Sequence, residues 1–297
     1  MSDRLKHLVV YALQGRYDVE AVDTQRSGHA TELCREAASE GYDVVVAFGG
    51  DGTVNEAANG IAGSGTPLSC LPGGATNVYC RMLGIPNDVV DATEHLLALV
   101  DDWAPRKIDL GTVDDRRFVF ACGVGIDATV VERVDAHPRL KATAGPYYYS
   151  WAAISTFYRR YLYNAVRVRV ESGGQAAEGV TAIIQNSDPF TYFASRPIRV
   201  CEGAALDSGA LSLGVLKRAR QRDMPTLIPR LFSETKPAAR HRQVEHLENV
   251  AAATVRSVSK TKEGLVRPFP LQVDGDYIGE HTEVALGIDP GALTIVA

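Results

Sequence analysis

The chain has 297 residues, 45% of them hydrophobic and 23% charged, with a formal net charge of −5. That length holds about two ordinary domains with cores of their own, and the composition is globular rather than disordered. The acidic balance argues against a nucleic-acid partner. No apolar run approaches the ~20 residues of a membrane span, and no charged-apolar-small order marks a signal peptide, so a cytosolic protein is expected. Cys34, Cys70, Cys80, Cys122 and Cys201 are scattered and odd in number. They suggest buried thiols rather than a disulfide framework or a zinc site.

In chain order, helical periodicity covers residues 5–13, and residues 17–22 alternate like a strand. A second helix is expected over 28–40. The β-branched run at 43–48 reads as a buried parallel strand. Gly49, Gly50, Asp51, Gly52, Thr53, Val54, Asn55 and Glu56 follow it and open a helix that continues to about residue 62. A strand at 67–71, a second glycine turn at 72–77, a helix around Arg81 and another over 87–100, capped by Asn87 or Asp88, complete an α/β pattern. Two glycine turns at the carboxyl ends of strands point to a ligand at that edge of the sheet.

From Lys107 the texture changes to short strands, at 108–110, 117–121, 166–170, 180–184, 211–216, 252–257, 271–273 and 284–288, which suggests an antiparallel sandwich. Helical interruptions are expected near 145–162 and 222–233, and Gly173-Gly174 reads as a hairpin.

The glycine turn after residue 48 predicts phosphate chemistry. Glycines leave backbone N–H groups open to phosphate oxygens, and the following helix aims its N-terminal donors and dipole at the same place. Asp51 repels bare phosphate, so its presence there implies a bridging cation, most plausibly Mg²⁺. The alternative is an ordinary strand-to-helix turn with a solvated Asp; the whole string in this context favours phosphate.

These two loops, followed by Ile108-Asp-Leu-Gly111, Asp207-Ser-Gly-Ala-Leu211 and Val273-Asp-Gly-Asp276, resemble the diacylglycerol kinase family, which includes bacterial diacylglycerol kinases, related lipid kinases and sphingosine kinases. The motifs run in the family's order over nearly the whole chain. The resemblance implies a phosphofructokinase-like α/β nucleotide domain over residues 1–111, its first strand absent, and an antiparallel β-sandwich that receives the lipid over 112–297. It implies ATP and Mg²⁺ as cofactors and transfer of the γ-phosphoryl group to a lipid hydroxyl at a membrane surface, with no transmembrane segment; a homodimer is left open. By position, Thr24, Gly49, Gly50, Asp51, Gly52, Thr53, Asn55, Glu56, Gly74, Thr76 and Asn77 would line the nucleotide. Asp51 and Asp109 would organise the metal, and Asp276 would act as general base on the lipid hydroxyl.

Asp274, two residues earlier, would point to the same face on a continuous strand and joins the catalytic set with Asp276 and Asp51. Asp-Gly is equally a strong hairpin signal, and both readings can hold. Asp127 in Gly123-Val-Gly-Ile-Asp127 matches a position beside the lipid pocket, against the plainer reading of a strand-end turn. The aromatic run 145–163 reads either as a helix packed against the sandwich or as a segment that sits at a membrane interface or walls an acyl-chain pocket. Lys236 and Arg240-His241-Arg242 form a basic run read as solvated surface, with anionic headgroups as the alternative.

The chain departs from the family pattern in places. The Asn-Pro-x-Ser-Gly-type loop of the family's first strand has no counterpart, which favours a start codon further upstream over a damaged copy or a pseudokinase. Ala75 and Val78 replace a Thr and an Asp in the second loop. Ser208 stands where many bacterial members carry a carboxylate for a structural Mg²⁺. Two alternatives remain: an NAD kinase-like enzyme, which shares Gly-Gly-Asp-Gly-Thr, and a catalytically dead nucleotide- or lipid-binding module.

Overall fold

The computed structural model of the chain describes residues 3–297. Two compact units divide it, Met1–Ile108 with Gly291–Ala297, and Asp109–Pro290. The expected division at residue 111 gave the whole C-terminal stretch to the second unit; the last seven residues instead return to the first.

The first unit contains α1 (Asp3–Leu13), α2 (His29–Glu40), β1 (Val45–Gly49), α3 (Asp51–Ile61), β2 (Leu68–Pro72), α4 (Val78–Met82) and α5 (Val89–Ala98). β1 and β2 pair in parallel from Val45↔Leu68 to Gly49↔Pro72. Helix α3 buries Val54, Ala57, Ala58 and Ile61, the i, i+3, i+4, i+7 stripe of a core-facing helix. Helix α5 starts where Asp88 accepts from the N–H groups of Val90 and Asp91, so Asp88 is its cap. Ile295 pairs with Leu68, and Leu293, Ile295 and Val296 are buried. The expected strand at 17–22 does not form: residues 18–25 are irregular, held by Tyr17 Oη donating to Leu96 O and by a contact between Tyr42 and Glu20. Alternation favours a strand only where a neighbour completes the ladder, and among the described residues none lies beside this segment.

Two strands, β3 (Arg106–Val113) and the last strand, carry the chain between the units. The second unit continues with β4 (Arg116–Phe118), β5 (Ala121–Gly125), α6 (Ile126–Asp135), α7 (Pro138–Thr156), β6 (Val168–Ser172), β7 (Gln175–Gly179), β8 (Thr181–Gln185), β9 (Thr191–Phe193) and β10 (Arg196–Ile198). After them come β11 (Leu211–Leu216), β12 (Val244–Val250), β13 (Ala252–Ser257), β14 (Phe269–Val273), β15 (Asp276–His281) and β16 (Glu283–Ile295). One antiparallel sheet runs β12-β11-β8-β5-β14-β15, and β16-β13-β6-β7 run antiparallel in another. Their apolar faces form one core that includes Phe118, Cys122, Val168, Val170, Ile184, Leu213, Val255, Phe269 and Val284. Strand β6 shows why: Val168 and Val170 are buried while Arg169 between them is exposed. Strands β5, β8 and β14 are buried along their whole length, because α6 covers the face that the core does not. All five cysteines are free and buried, and Cys70 Sγ lies 2.9 Å from Cys80 Sγ.

Candidate functional site

In the first unit the two glycine turns stack backbone on backbone. Gly73 N–H donates to Gly49 O at 2.9 Å. A Cβ on Gly73 would lie 2.9 Å from Gly49 Cα, and one on Gly74 would lie 2.7 Å from Gly50 Cα. No side chain fits between the loops, so these glycines are first a packing requirement. The loops meet at the start of α3, where Gly50 is the N-cap and no side chain caps the helix. The first-turn N–H groups of a helix have no intrahelical acceptor, so an uncapped start favours an anion. Gly73 and Gly74 are exposed and Gly49, Gly50, Gly52 and Thr53 are part-buried, which leaves this backbone accessible.

The polar side chains around the loops hold their shape. Asn77, buried and left-handed at φ 50°, accepts from Gly74 N–H at 2.8 Å and donates to Gly74 O and to Asn87 Oδ1. Asp51 Oδ1 accepts from Tyr79 N–H at 3.0 Å, in the first turn of α4. Asn55 and Glu56, expected to line phosphates, sit one turn into α3. Asn55 is buried and accepts from Asn59, and Glu56 accepts from the N–H groups of Gly28 and Ala30 at the start of α2. A period of 3.6 residues carries these two positions past the loop, and α2 supplies the donors that Glu56 meets. Glu56 thereby fixes the end of the segment that carries Thr24, which is itself exposed, as Thr76 is partly.

In the second unit the polar node lies at residues 119–121. Asp274 is buried, and its carboxylate accepts from the N–H groups of Val119 (2.6 Å), Phe120 (3.0 Å) and Ala121 (3.0 Å). Asp274 and Gly275 are the two turn residues of the β14–β15 hairpin, both left-handed at φ 46° and 84°, with Val273 opposite Asp276. That is a type I′ turn, so the hairpin reading of Asp-Gly holds. The shared face expected for Asp274 and Asp276 does not exist, because the chain reverses between them. Asp274 is an anchor, and Asp276, part-buried at the start of β15, is what it positions.

Asp127 opens α6 rather than a loop. Its carboxyl accepts from Gln272 Nε2 at 2.7 Å, and Gln272 Oε1 accepts from Gly275 N–H, so the same hairpin reaches both acids. Burial pushes the Asp127 carboxyl up to about 6, with the Gln272 hydrogen bond opposing the shift. Helix α6 and its link to Gln272 escape sequence reasoning: the Gly-x-Gly ahead of it reads as a turn, and the contact spans 145 residues. Asp109, buried on β3, accepts from Gly209 N–H at 2.7 Å. Ser208 Oγ lies 2.9 Å from both Ala205 O and Ala210 O, so the Asp207-Ser208-Gly209 loop is closed by its own hydroxyl and by Asp109.

Asp51 and Asp109 offer hard carboxylate oxygens, and no group of three or more His, Cys, Asp or Glu that could hold an ion occurs among the described residues. Each is of the oxygen-donor type that Mg²⁺ takes, an ion that keeps several waters and is bound through one or two carboxylates together with substrate phosphates.

Comparison with known proteins agrees with this layout. Residues 1–113 match the family described as diacylglycerol kinase catalytic domain, and residues 121–297 match the YegS C-terminal NAD kinase beta sandwich-like domain. A diacylglycerol kinase of Staphylococcus haemolyticus is 28% identical over 268 residues, covering 89% of this chain and 74% of that protein. One from Staphylococcus aureus is 27% identical over 266 residues, covering 89% and 78%. The crystal structure of a diacylglycerol kinase from Bacillus anthracis superposes with a TM-score of 0.69 at 19% identity, covering 98% of this chain and 90% of that one. An NAD kinase from Archaeoglobus fulgidus in complex with ATP superposes at 0.52 and 11% identity, covering 100% and 90%, a likeness of fold.

Proposed function

Because the chain belongs to the diacylglycerol kinase family, we infer that it transfers the γ-phosphoryl group of ATP to a lipid hydroxyl, that of diacylglycerol, at a membrane surface. The observation that carries this reading is the pair of stacked glycine loops at the start of α3, accessible backbone where Gly50 is the N-cap and no side chain caps the helix. There the γ-phosphate-bearing tail of ATP would be held, and positioning with charge neutralisation would supply most of the rate. Asp51, at the start of α3, would hold Mg²⁺ beside these loops, and the ion would supply neutralisation of the charge that develops on the phosphates. The carboxylate of Asp276 would take the hydroxyl proton as the lipid oxygen bonds to the γ-phosphorus and the bond to ADP breaks. Asp274 would hold Asp276 in place through its three backbone bonds, and Asp127 would contact the polar end of the lipid.

The test is label transfer from γ-labelled ATP into diacylglycerol, monoacylglycerol, sphingosine, ceramide and NAD, offered in parallel to folded protein. Labelled diacylglycerol is the expected product. Label in NAD, or none from folded protein, would overturn the lipid-kinase reading in favour of an NAD kinase-like enzyme or a binding module.

A further inference from the structure

Between β10 and β11 the chain folds a short loop over residues 205–210, and one hydroxyl closes it. Ser208 Oγ lies 2.9 Å from Ala205 O and 2.9 Å from Ala210 O, so two carbonyl oxygens converge on it. Ser208 N–H also donates to Ala205 O at 3.2 Å, and Ala210 N–H reaches back to Ser208 Oγ at 3.4 Å. Gly209, left-handed at φ 68°, turns its N–H onto the buried Asp109 carboxylate at 2.7 Å, and Asp109 N–H donates to Leu206 O at 2.6 Å. The loop therefore holds Asp109 at two points, its carboxylate and its backbone.

Two carbonyl oxygens that face the same point need a positive partner there, either a proton donor or a cation. A hard cation would take carbonyl and carboxylate oxygens, at about 2.0–2.1 Å for Mg²⁺ and about 2.3–2.6 Å for Ca²⁺. The carboxylate that many bacterial members of the family carry at this position would complete such a set with the two carbonyls. Ser208 brings no charge, and its oxygen stands at hydrogen-bond distance from both carbonyls, in the place an ion would need. Asp207, exposed, is the only acid in residues 203–210. One solvated carboxylate is a poor exchange for the hydration shell of a divalent ion, so these residues do not fit a structural Mg²⁺.

We propose that the Ser208 proton takes the part of a cation in this loop, so that the loop forms, and Asp109 is held, with no divalent ion bound there. Ser208 is then a positioning residue, acting through Gly209 on the Asp109 carboxylate. Chelation should leave this part of the second unit as it is, although the motif it replaces is a metal-binding one.

The experiment follows thermal unfolding and amide hydrogen exchange at Gly209, on the full chain without nucleotide, in EDTA, in millimolar Mg²⁺ and in millimolar Ca²⁺. The wild type is expected to give the same Gly209 exchange in all three. Ser208→Ala should speed that exchange about tenfold and lower the melting temperature by about 2 °C, the worth of one exposed hydrogen bond, and neither ion should restore it. Ser208→Thr, which keeps the hydroxyl, should behave as the wild type does. Ser208→Asp should exchange as fast as Ser208→Ala in EDTA and regain protection as either ion is added, since binding to the folded loop alone stabilises it. Slower wild-type exchange at Gly209 with either ion would show a cation in the loop and overturn the proposal. So would wild-type exchange in Ser208→Ala, because the hydroxyl would then hold nothing. A Ser208→Asp protein indifferent to both ions would overturn it as well, because the two carbonyls would then form no niche for a cation. None of these readouts needs turnover, so a protein that phosphorylates no lipid would leave them as they stand.

Discussion

At the scale of single residues, three carboxylates separate by what surrounds them. Asp274 meets three backbone N–H groups, so Asp274→Ala strands three buried donors and should cost about 3 kcal/mol or more in denaturant unfolding, before any question of catalysis. Asp276→Asn should lower kcat by two orders of magnitude or more with little change in stability or in KM for ATP; an unchanged kcat would remove it as the base. Asp127 gives a pH signature. Its folded form keeps a proton up to about 6, while an unfolded Asp loses it near its ordinary value of about 3.9. The folded state therefore binds more protons in that interval, and stability falls as pH rises from roughly 4 to 6. Asp127→Asn fixes the neutral form and should raise stability by on the order of 2 kcal/mol at pH 7, the difference vanishing below about pH 4. Equal melting shifts at both pH values would contradict this. Sequence alone suggested all three positions but not these differences: the partners of Asp274 lie more than 150 residues away, and local spacing carries no trace of them.

At the scale of elements, the glycine turns were legible because they are local. A β-branched run, three glycines and a helical pattern state a strand, a turn and a helix in consecutive residues. What the spacing could not state is that the second turn lies on the first. Gly74→Ala sets a Cβ 2.7 Å from Gly50 Cα and 3.1 Å from Asn77 Oδ1, and a backbone atom cannot swing aside as a side chain does. It should cost about 1–3 kcal/mol and weaken ATP binding at least tenfold by calorimetry; full affinity would show that the loops tolerate separation. Hairpins with their own turn chemistry were also legible, Gly173-Gly174 between Ser172 and Gln175 among them. The edge strands β7, β12 and β15 were missed because partly solvated strands mix charge into their alternation, as Glu245, His246, Glu248 and Asn249 do in β12. The segment at 17–22 misled in the opposite sense, since its alternation has no ladder to serve.

At the scale of the whole molecule, the order of the two units in sequence was readable from texture, helices alternating with strands before Lys107 and short strands after it. The return of the last residues was not, because Gly291–Ala297 read as the tail of a sandwich strand. Leu293, Ile295 and Val296 are nearly inaccessible, each contributing about 1.5–3 kcal/mol of burial to the first unit. Deleting residues 291–297 should therefore leave the sandwich resistant to protease while the first 108 residues are digested; equal resistance of both would show the return to be dispensable. The same crossing sets an order in time. Strand β2 pairs with Ile295 at Leu68 and ends at Pro72, where the second glycine turn begins. The ribosome makes that turn early but supplies the residues that finish its strand's surroundings some 220 positions later. Strand β16 begins in the sandwich, where Glu283–Gly287 pair with β13, and ends beside β2, so a nascent chain finishes both units with one strand, and the second glycine turn waits for surroundings that arrive together with those of the sandwich.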